Sequence, residues 1–442
     1  MDVNLERRIR KHIHAQRHTF ECQVPAGFAE LGVRTSRRLL AEYENSDSES
    51  ALRFSLRGSR IRIENLPFDA IHQLLFKGLL YSDIRLRMLR ARCTGEQKLR
   101  QLIADFAWEL WAPLNDASEW EIRVDSQASH LYHEGKIKQI IREEILKLSG
   151  RQQSADTARP LARVELDFIL QREVLEIFIS VSGRDFWKRG HKQTFEHAAP
   201  LREDIAACLV RRLSELSQEH LKLPRPSQIL NPFCGTGTLM HESALFLSGA
   251  AHLMSDTQHW AYPTLPFFKD KAFSHFRKKQ IESLSKETEQ HKPIDFLGED
   301  LDSRLCEVSE KWFAQSGQLL HTLVSAKSVC GDSCQTNQTY PANSLPSSLW
   351  IFANPPYGLR LSTRSQGGTE QLYLKFFQRM ANLCRTFSGR SLPLCGVVLC
   401  PSEETWRVGV REMKGFFSCC EHFTLGGLDV RAFYFSNNKK RG

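Results

Sequence analysis

From Gly190 onward, short runs of apolar residues recur between longer stretches of helical spacing: Ile229-Leu230, Phe296-Leu297, Leu349 to Ala353 and Val397 to Leu399. Short apolar runs of this kind read as strands, and strands alternating with helices imply a mainly parallel sheet. The pattern constrains residues 191–442 to a doubly wound α/β domain. Two last apolar stretches, Phe416 to Leu425 and Val430 to Phe435, are divided by Gly426-Gly427 and predict a terminal antiparallel hairpin. The charged stretch Lys269 to Lys292 reads as an exposed helical insertion.

Upstream the periodicity differs. Leu52, Phe54 and Leu56 alternate as a strand, as do Ile61 and Ile63, and residues 68–80 read as a helix. Trp120, Ile122 and Val124 alternate again, before Ile137, Ile140, Ile141 and Ile145 recur at helical spacing. Val164, Leu166 and Phe168 and then Leu175, Ile177, Ile179 and Val181 predict two strands joined by a turn at Gln171-Arg172-Glu173. The polar segment Glu44 to Ser50 reads as a loop or hairpin tip. Residues 21–190 are therefore expected to form an α+β region of antiparallel strands and helices. Residues 1–20 carry Arg7, Arg8, Arg10, Lys11 and Arg17 and read as a basic arm, either a solvated helix or a contact for a polyanion.

Composition excludes several classes. No apolar stretch is long enough to span a bilayer, and Met1 to His18 lacks the apolar core of a secretory signal. The 12 cysteines include no Cys-x-x-Cys pair; Cys330 with Cys334 and Cys419 with Cys420 match no zinc framework, so no metal is expected. A reduced, cytoplasmic protein fits this usage. The net charge of +9 is compatible with a polyanionic partner.

Three segments carry chemistry. Asn231-Pro232-Phe233-Cys234-Gly235-Thr236-Gly237-Thr238 follows a strand and opens a helix. Glycines there let the backbone approach a ligand, and the helix N-terminus favours an anionic group. No Gly-Lys-Ser/Thr follows, which disfavours a P-loop. Asp300 in Gly298-Glu299-Asp300-Leu301-Asp302 stands at the next strand end, where a carboxylate can accept from two ribose hydroxyls; Asp302 alone would serve as a helix cap. Asp332, after a third strand, could accept from an adenine amino group. The third segment, Ala353-Asn354-Pro355-Pro356-Tyr357-Gly358, has a backbone stiffened by two prolines. The amine of a nucleobase is a poor nucleophile because its lone pair is delocalised into the ring. The Asn354 side-chain oxygen and the Pro355 carbonyl can both accept from such an amine and orient it. Tyr357 can stack on the ring.

Together, Asn231 to Thr238 and Asn354 to Tyr357 resemble the amino-methyltransferase group of Rossmann-fold methyltransferases. Arg189-Gly190-His191-Lys192 and Ala198-Ala199-Pro200-Leu201-Arg202-Glu203 narrow the resemblance to the THUMP-containing RNA methyltransferases, the group that includes the bacterial large-subunit rRNA guanine-N2 methyltransferase. The resemblance covers residues 20–442 and is strongest in 183–245 and 295–362. It implies a class I methyltransferase domain with a seven-stranded sheet, preceded by a ferredoxin-like and THUMP region that holds RNA. It implies S-adenosyl-L-methionine as cofactor, bound by Pro200, Asn231, Pro232, Phe233, Cys234, Gly235, Gly237, Thr238, Asp300, Asp332 and Asn354. Asn354, Pro355, Pro356 and Tyr357 would be the catalytic set. The basic clusters Arg85, Arg87, Arg90, Arg92 and Lys136, Lys138, Arg142 fall in the part assigned to RNA, with Arg85, Arg87, Lys136 and Lys138 the expected contacts. Asn231 stands where the family usually has aspartate. Many bacterial relatives carry a second methyltransferase domain, and no second activity is expected of these 442 residues. The expected reaction is methylation of guanine N2 in 23S rRNA. The alternatives are guanine N2 or adenine N6 in tRNA, and, in another class, a non-catalytic RNA-binding assembly factor.

Overall fold

A computed structural model describes residues 3–44, 51–149, 163–189, 201–254, 260–288, 293–315, 324–335, 345–357 and 367–439. The chain forms two compact units. The first comprises Met1–Val24, Gly32–Gly190 and Ser255–Lys278; the second comprises Pro25–Leu31, His191–Met254 and Lys279–Gly442. A cut at residue 190 would therefore divide both units. Among the described residues, no helix is long and apolar enough to cross a membrane.

The first unit holds a seven-stranded sheet in the order β2-β3-β1-β4-β7-β6-β5. Its strands are β1 (Arg17–Gln23), β2 (Arg53–Arg57), β3 (Arg60–Pro67), β4 (Asp83–Arg92), β5 (Glu121–Gln127), β6 (Glu165–Gln171) and β7 (Val174–Ser180). All neighbours pair antiparallel except β5 and β6, which are parallel. That exception requires a crossover, and the helix Glu134–Ser149 lies between them in the chain. One sheet face is apolar: Phe20, Ile61, Ile63, Ile84, Leu86, Ile177 and Ile179 are buried. The opposite face carries Glu21, Arg62, Arg85 and Glu176. Arg172 (φ +47°) and Glu173 (φ +62°) make the tight turn expected between β6 and β7. The hairpin tip between β2 and β3 is Gly58-Ser59; residues 45–50 of the polar segment lie outside the described residues.

Two expectations change here. The basic arm is not merely solvated: it forms the helix Val3–Ile9 and a π-helical turn Arg10–His14, and Arg17 already begins β1. Ile9 and Ile13, four residues apart, are buried and anchor it. Nor is the insertion simply exposed. In the helix Asp270–Thr288, Phe273 is buried and Phe276 stacks on Phe76 with ring centroids 5.7 Å apart. Two phenylalanines at i, i+3 give this charged helix an apolar face.

The second unit holds a seven-stranded sheet in the order β10-β9-β8-β11-β12-β14-β13. Its strands are β8 (Gln228–Pro232), β9 (Ile294–Asp300), β10 (Val324–Cys330), β11 (Leu349–Ala353), β12 (Leu394–Cys400), β13 (Phe416–Leu425) and β14 (Leu428–Lys439). The first five in that order are parallel, and β14 is antiparallel to both its neighbours. Every residue of β11 and β12 is buried, as expected for strands covered on both faces. Tyr373, Phe376, Phe377 and Met380 of the helix Gly367–Gly389 join Ile351, Val398 and Phe433 in one core. Gly426 and Gly427, both at positive φ, turn the terminal hairpin.

Candidate active site

The chain runs β8, β9, β10 toward one edge, then returns to β11 on the other side of β8. At such a reversal, the loops following adjacent strands part and leave a crevice. The glycine loop follows β8, Asp300 ends β9, Asp332 follows β10 and Asn354 follows β11.

Beyond Pro232 the backbone passes through Phe233 (φ +55°), Gly235 (φ +54°) and Gly237 (φ +82°) before the helix Thr238–Ser248 begins. The two glycines serve different ends. A Cβ on Gly237 would lie 2.1 Å from Ser309 Oγ, so glycine permits close packing of the helix Ser303–Gln315. A Cβ on Gly235 would meet nothing, so the loop faces open space there.

Asn231 is buried, and its Nδ2 donates to Phe352 O at 2.6 Å and to Pro232 O at 3.4 Å. Two carbonyl acceptors define the NH2 side of this amide, and the first ties β8 to β11. Asn231 Oδ1 and Thr236 Oγ1 are buried with no hydrogen-bond partner among the described residues. Such atoms suit a ligand that brings its own N–H or O–H donors.

Asp300 Oδ2 accepts from Gly235 N at 2.8 Å, and Oδ1 accepts from Asp302 N at 3.0 Å. A carboxylate has about four acceptor positions, so capacity for two hydroxyls remains. Asp302 accepts from Arg304 N at 3.0 Å and pairs with its guanidinium at 2.7 Å, which is the capping behaviour expected of it. Asp332 Oδ1 accepts from Cys334 N at 2.9 Å. The hydrogen bond with Cys306 and burial push the Cys234 thiol above the usual thiol range, which disfavours its thiolate.

An ion pair missed in the sequence binds these loops together. Arg379 Nη1 and Nη2 donate to Glu299 Oε2 and Oε1 at 2.5 and 2.7 Å, and Nη1 also donates to Ser333 O at 2.8 Å. Ser333 Oγ in turn accepts from Phe233 N at 3.2 Å. One buried guanidinium thus joins the end of β9, the loop after β10 and, through Ser333, the glycine loop. Its only signal in the sequence is an arginine in the apolar run of Phe376, Phe377, Met380 and Ala381.

In the last segment Pro355 is buried, Pro356 exposed, and Asn354 and Tyr357 half-buried. The Tyr357 hydroxyl donates to Asn354 Oδ1 at 2.8 Å. Burial pushes its pKa well above the usual phenol value, so it remains a donor at neutral pH. This bond orients the Asn354 amide and still leaves its oxygen a second lone pair. Pro200 and Gly358 lie outside the described residues.

Of the basic residues, Arg85 requires correction. Its side chain is 3% exposed and is held by Glu21 and Asp167, leaving no face for an external phosphate. Strand periodicity alone did not reveal that this face of the sheet is closed by its own ion pairs. Arg87 is 23% exposed and donates to Glu176 at 3.0 Å. Lys136, 61% exposed, pairs with Glu96 at 2.7 Å, and Lys138 lies on the same helix, half-buried.

Residues 190–395 match the family described as RMKL-like, methyltransferase domain. The Ribosomal RNA large subunit methyltransferase K/L of Legionella pneumophila (strain Philadelphia 1) is 24% identical over 308 residues, covering 67% of this chain and 39% of its own. That of Shewanella sp. (strain MR-4) is 26% identical over 238 residues, covering 53% of this chain and 29% of its own. The chain thus spans well under half the length of these curated relatives. A possible methylase from Clostridium difficile 630 has the same fold, with a TM-score of 0.70 over 97% of this chain and 100% of that chain at 17% identity. SMU.472, complexed with SAH, follows with a TM-score of 0.67 over 97% and 99% at 19% identity. With its glycine loop, strand-end carboxylates and sheet order, the stretch from residue 190 to 395 is similar to the RMKL-like methyltransferase domain, and the second unit has the class I methyltransferase fold.

Proposed function

We propose that this chain transfers a methyl group from S-adenosyl-L-methionine to an exocyclic base amine in RNA, guanine N2 of 23S rRNA. The observation that carries this reading is that the glycine loop, Asp300 and the Asn354–Tyr357 pair follow adjoining parallel strands of one sheet. S-adenosyl-L-methionine, when bound, supplies a methyl group already activated on a sulfonium. Asp300 would accept from the ribose hydroxyls, Asp332 from the adenine amine, and the orphan oxygens of Asn231 and Thr236 from other donors of the cofactor. Pro232, Phe233, Cys234, Gly235, Gly237 and Thr238 would shape the loop around it.

On the substrate side, Asn354 Oδ1 and the Pro355 carbonyl accept from the base amine and turn its lone pair toward the methyl group. Pro356 stiffens the segment, and Tyr357 orients Asn354 and offers its ring to the base. The contribution is orientation and proximity rather than strong-base catalysis. The names of the curated relatives support ribosomal RNA as substrate, and a cytoplasmic location is proposed with it. Arg87, Lys136 and Lys138 are proposed to contact that RNA.

Asp300→Ala is expected to weaken cofactor binding about tenfold or more, since hydrogen bonds to a charged group contribute about 1.5–3 kcal/mol. Calorimetric titration would show it; unchanged affinity would remove Asp300 from the site. The reaction itself is tested by incubating the full chain with labelled cofactor and, in parallel, unmodified 23S rRNA or tRNA, then digesting each to nucleosides for mass spectrometry. Label in N2-methylguanosine is expected. Label in N6-methyladenosine, or label in tRNA only, would replace the substrate assignment. RNA binding without transfer would leave only an assembly role.

A further inference from the structure

We infer that Arg57 and Arg90 form an anion site for the RNA backbone on the charged sheet face of the first unit. The inference rests on the proposal that RNA is the substrate, and it deepens it by joining Arg90, already in a basic cluster of the sequence, to Arg57, which no such cluster contains, in one site. Residues directly opposite in neighbouring strands share a sheet face. Arg62 stands opposite both Glu21 and Ser55, Arg57 opposite Arg60, and Arg90 opposite Glu176.

The centre of the site is Glu176, whose side chain is 5% exposed. Arg62 grips both of its oxygens, with Nη2 to Oε2 at 2.7 Å and Nη1 to Oε1 at 3.1 Å. Arg87 adds a third bond to Oε1 at 3.0 Å. Two more guanidiniums then crowd the same carboxylate at longer range, Arg57 at 3.3 Å and Arg90 at 3.9 Å. These two side chains are 45% and 61% exposed. Glu64, 3.9 Å from Arg87, and Glu21, 2.6 Å from Arg62, are further carboxylates in contact with the cluster. Glu21 is bonded by Arg62 and is shared with Arg85. Arg57, Arg62, Arg85, Arg87 and Arg90 are thus five guanidiniums on the three glutamates Glu21, Glu64 and Glu176, with Asp167 taking part of Arg85. Arg57 and Arg90 are the two that face solvent, with the long contacts to Glu176.

A guanidinium presents five donors in a rigid fork that matches phosphate oxygens. The short bonds to Glu176 go to Arg62 and Arg87, so Arg57 and Arg90 keep donors turned outward. Arg53 on β2 and Arg92 on β4, both exposed, continue the positive charge along the two strands. Acidic side chains lie toward the other edge of the sheet, where Arg184 pairs with Asp167 at 2.8 Å and with Glu121 at 2.6 Å. Phe178, the aromatic residue under Arg62 and Arg85, is fully buried. Without an open ring for stacking, the site would hold backbone phosphate rather than read bases.

The test uses the full chain, a labelled 23S rRNA fragment and an unrelated RNA hairpin, titrated over a range of KCl. Arg57→Gln combined with Arg90→Gln should weaken both RNAs by about tenfold and lower the slope of log affinity against log salt by about 1.5. Cofactor affinity should be unchanged. Ser55→Glu, an exposed change on the same face that leaves every arginine pair intact, should weaken RNA binding as well; this second variant decides the matter if the double variant fails to fold. Wild-type slope and affinity in these variants, with wild-type protein binding and methylating RNA, would overturn the site and leave the RNA reading standing. Failure of the wild-type chain to bind any RNA would overturn both.

Discussion

Arg379→Met should destabilise the chain by about 3–5 kcal/mol, because it leaves a buried carboxylate without its cation. Glu299 is 2% exposed and Arg379 4% exposed, and their two bonds form the fork-to-fork geometry that only arginine provides. Since a typical domain is stable by only about 5–15 kcal/mol, a loss of this size should show directly in chemical denaturation followed by circular dichroism. Arg379→Lys should recover part of the loss, because an ammonium restores the charge but cannot bond both carboxylate oxygens and the Ser333 carbonyl in the same geometry. Replacing both partners, Glu299→Leu with Arg379→Met, should cost less than the single arginine change, since no uncompensated charge remains. The double variant should still bind cofactor poorly, because the loop after β10 loses the guanidinium that holds Ser333, and Ser333 holds Phe233. A single variant that loses less than about 1 kcal/mol would show that Glu299 finds water or another donor, and the pair would then be no anchor.

The second unit was the more legible of the two, and the reason is physical. Its central strands are buried on both faces, so Leu349–Ala353 and Leu394–Cys400 are apolar without interruption and announce themselves. The chemistry-bearing residues follow those strands within a few positions, so their placement comes with the strand assignment. What could not be read is what joins one loop to another. Glu299 and Arg379 are 80 residues apart, and the Asn231 bond to Phe352 spans 121. Local spacing carries no record of such pairs.

In the first unit the same limit had a larger effect. β1, β3 and β4 alternate polar and apolar residues, though only β3 was expected as a strand, and the polar positions in the alternation are not solvated. Glu21, Arg62 and Arg85 bury one another across three strands, and a sequence pattern cannot distinguish an exposed arginine from one that is paired and closed over. Arg85 was misread for that reason, while Arg57, in a strand expected only from its apolar neighbours Phe54 and Leu56, was passed over. The N-terminal arm was obscured by its charge: two isoleucines at i, i+4 outweigh Arg7, Arg8, Arg10 and Lys11 in deciding its structure.

Asn354→Ala should slow the methyl-transfer step by about 100-fold or more, a loss far larger than its effect on cofactor affinity, as expected when a preorganised polar contact to the reacting group is lost. The effect belongs in the chemical step because the amide oxygen aligns the amine as it attacks. Asn354→Asp keeps an oxygen for both the amine and the Tyr357 hydroxyl, so it should retain far more activity than alanine. Tyr357 separates the two roles proposed for it. Tyr357→Phe keeps the ring but removes the 2.8 Å bond that orients Asn354. That change should slow single-turnover transfer by about two- to tenfold, the range for one neutral hydrogen bond of about 0.5–1.5 kcal/mol. Tyr357→Ala also removes the stacking face, worth about 1–3 kcal/mol per base, and should raise the RNA concentration needed for half-maximal transfer. The measurement is single-turnover methylation of 23S rRNA with labelled cofactor, beside a cofactor titration for each variant. If Asn354→Ala transfers at the wild-type rate, the amide does not orient the amine, and an exocyclic amine loses its main support as the target.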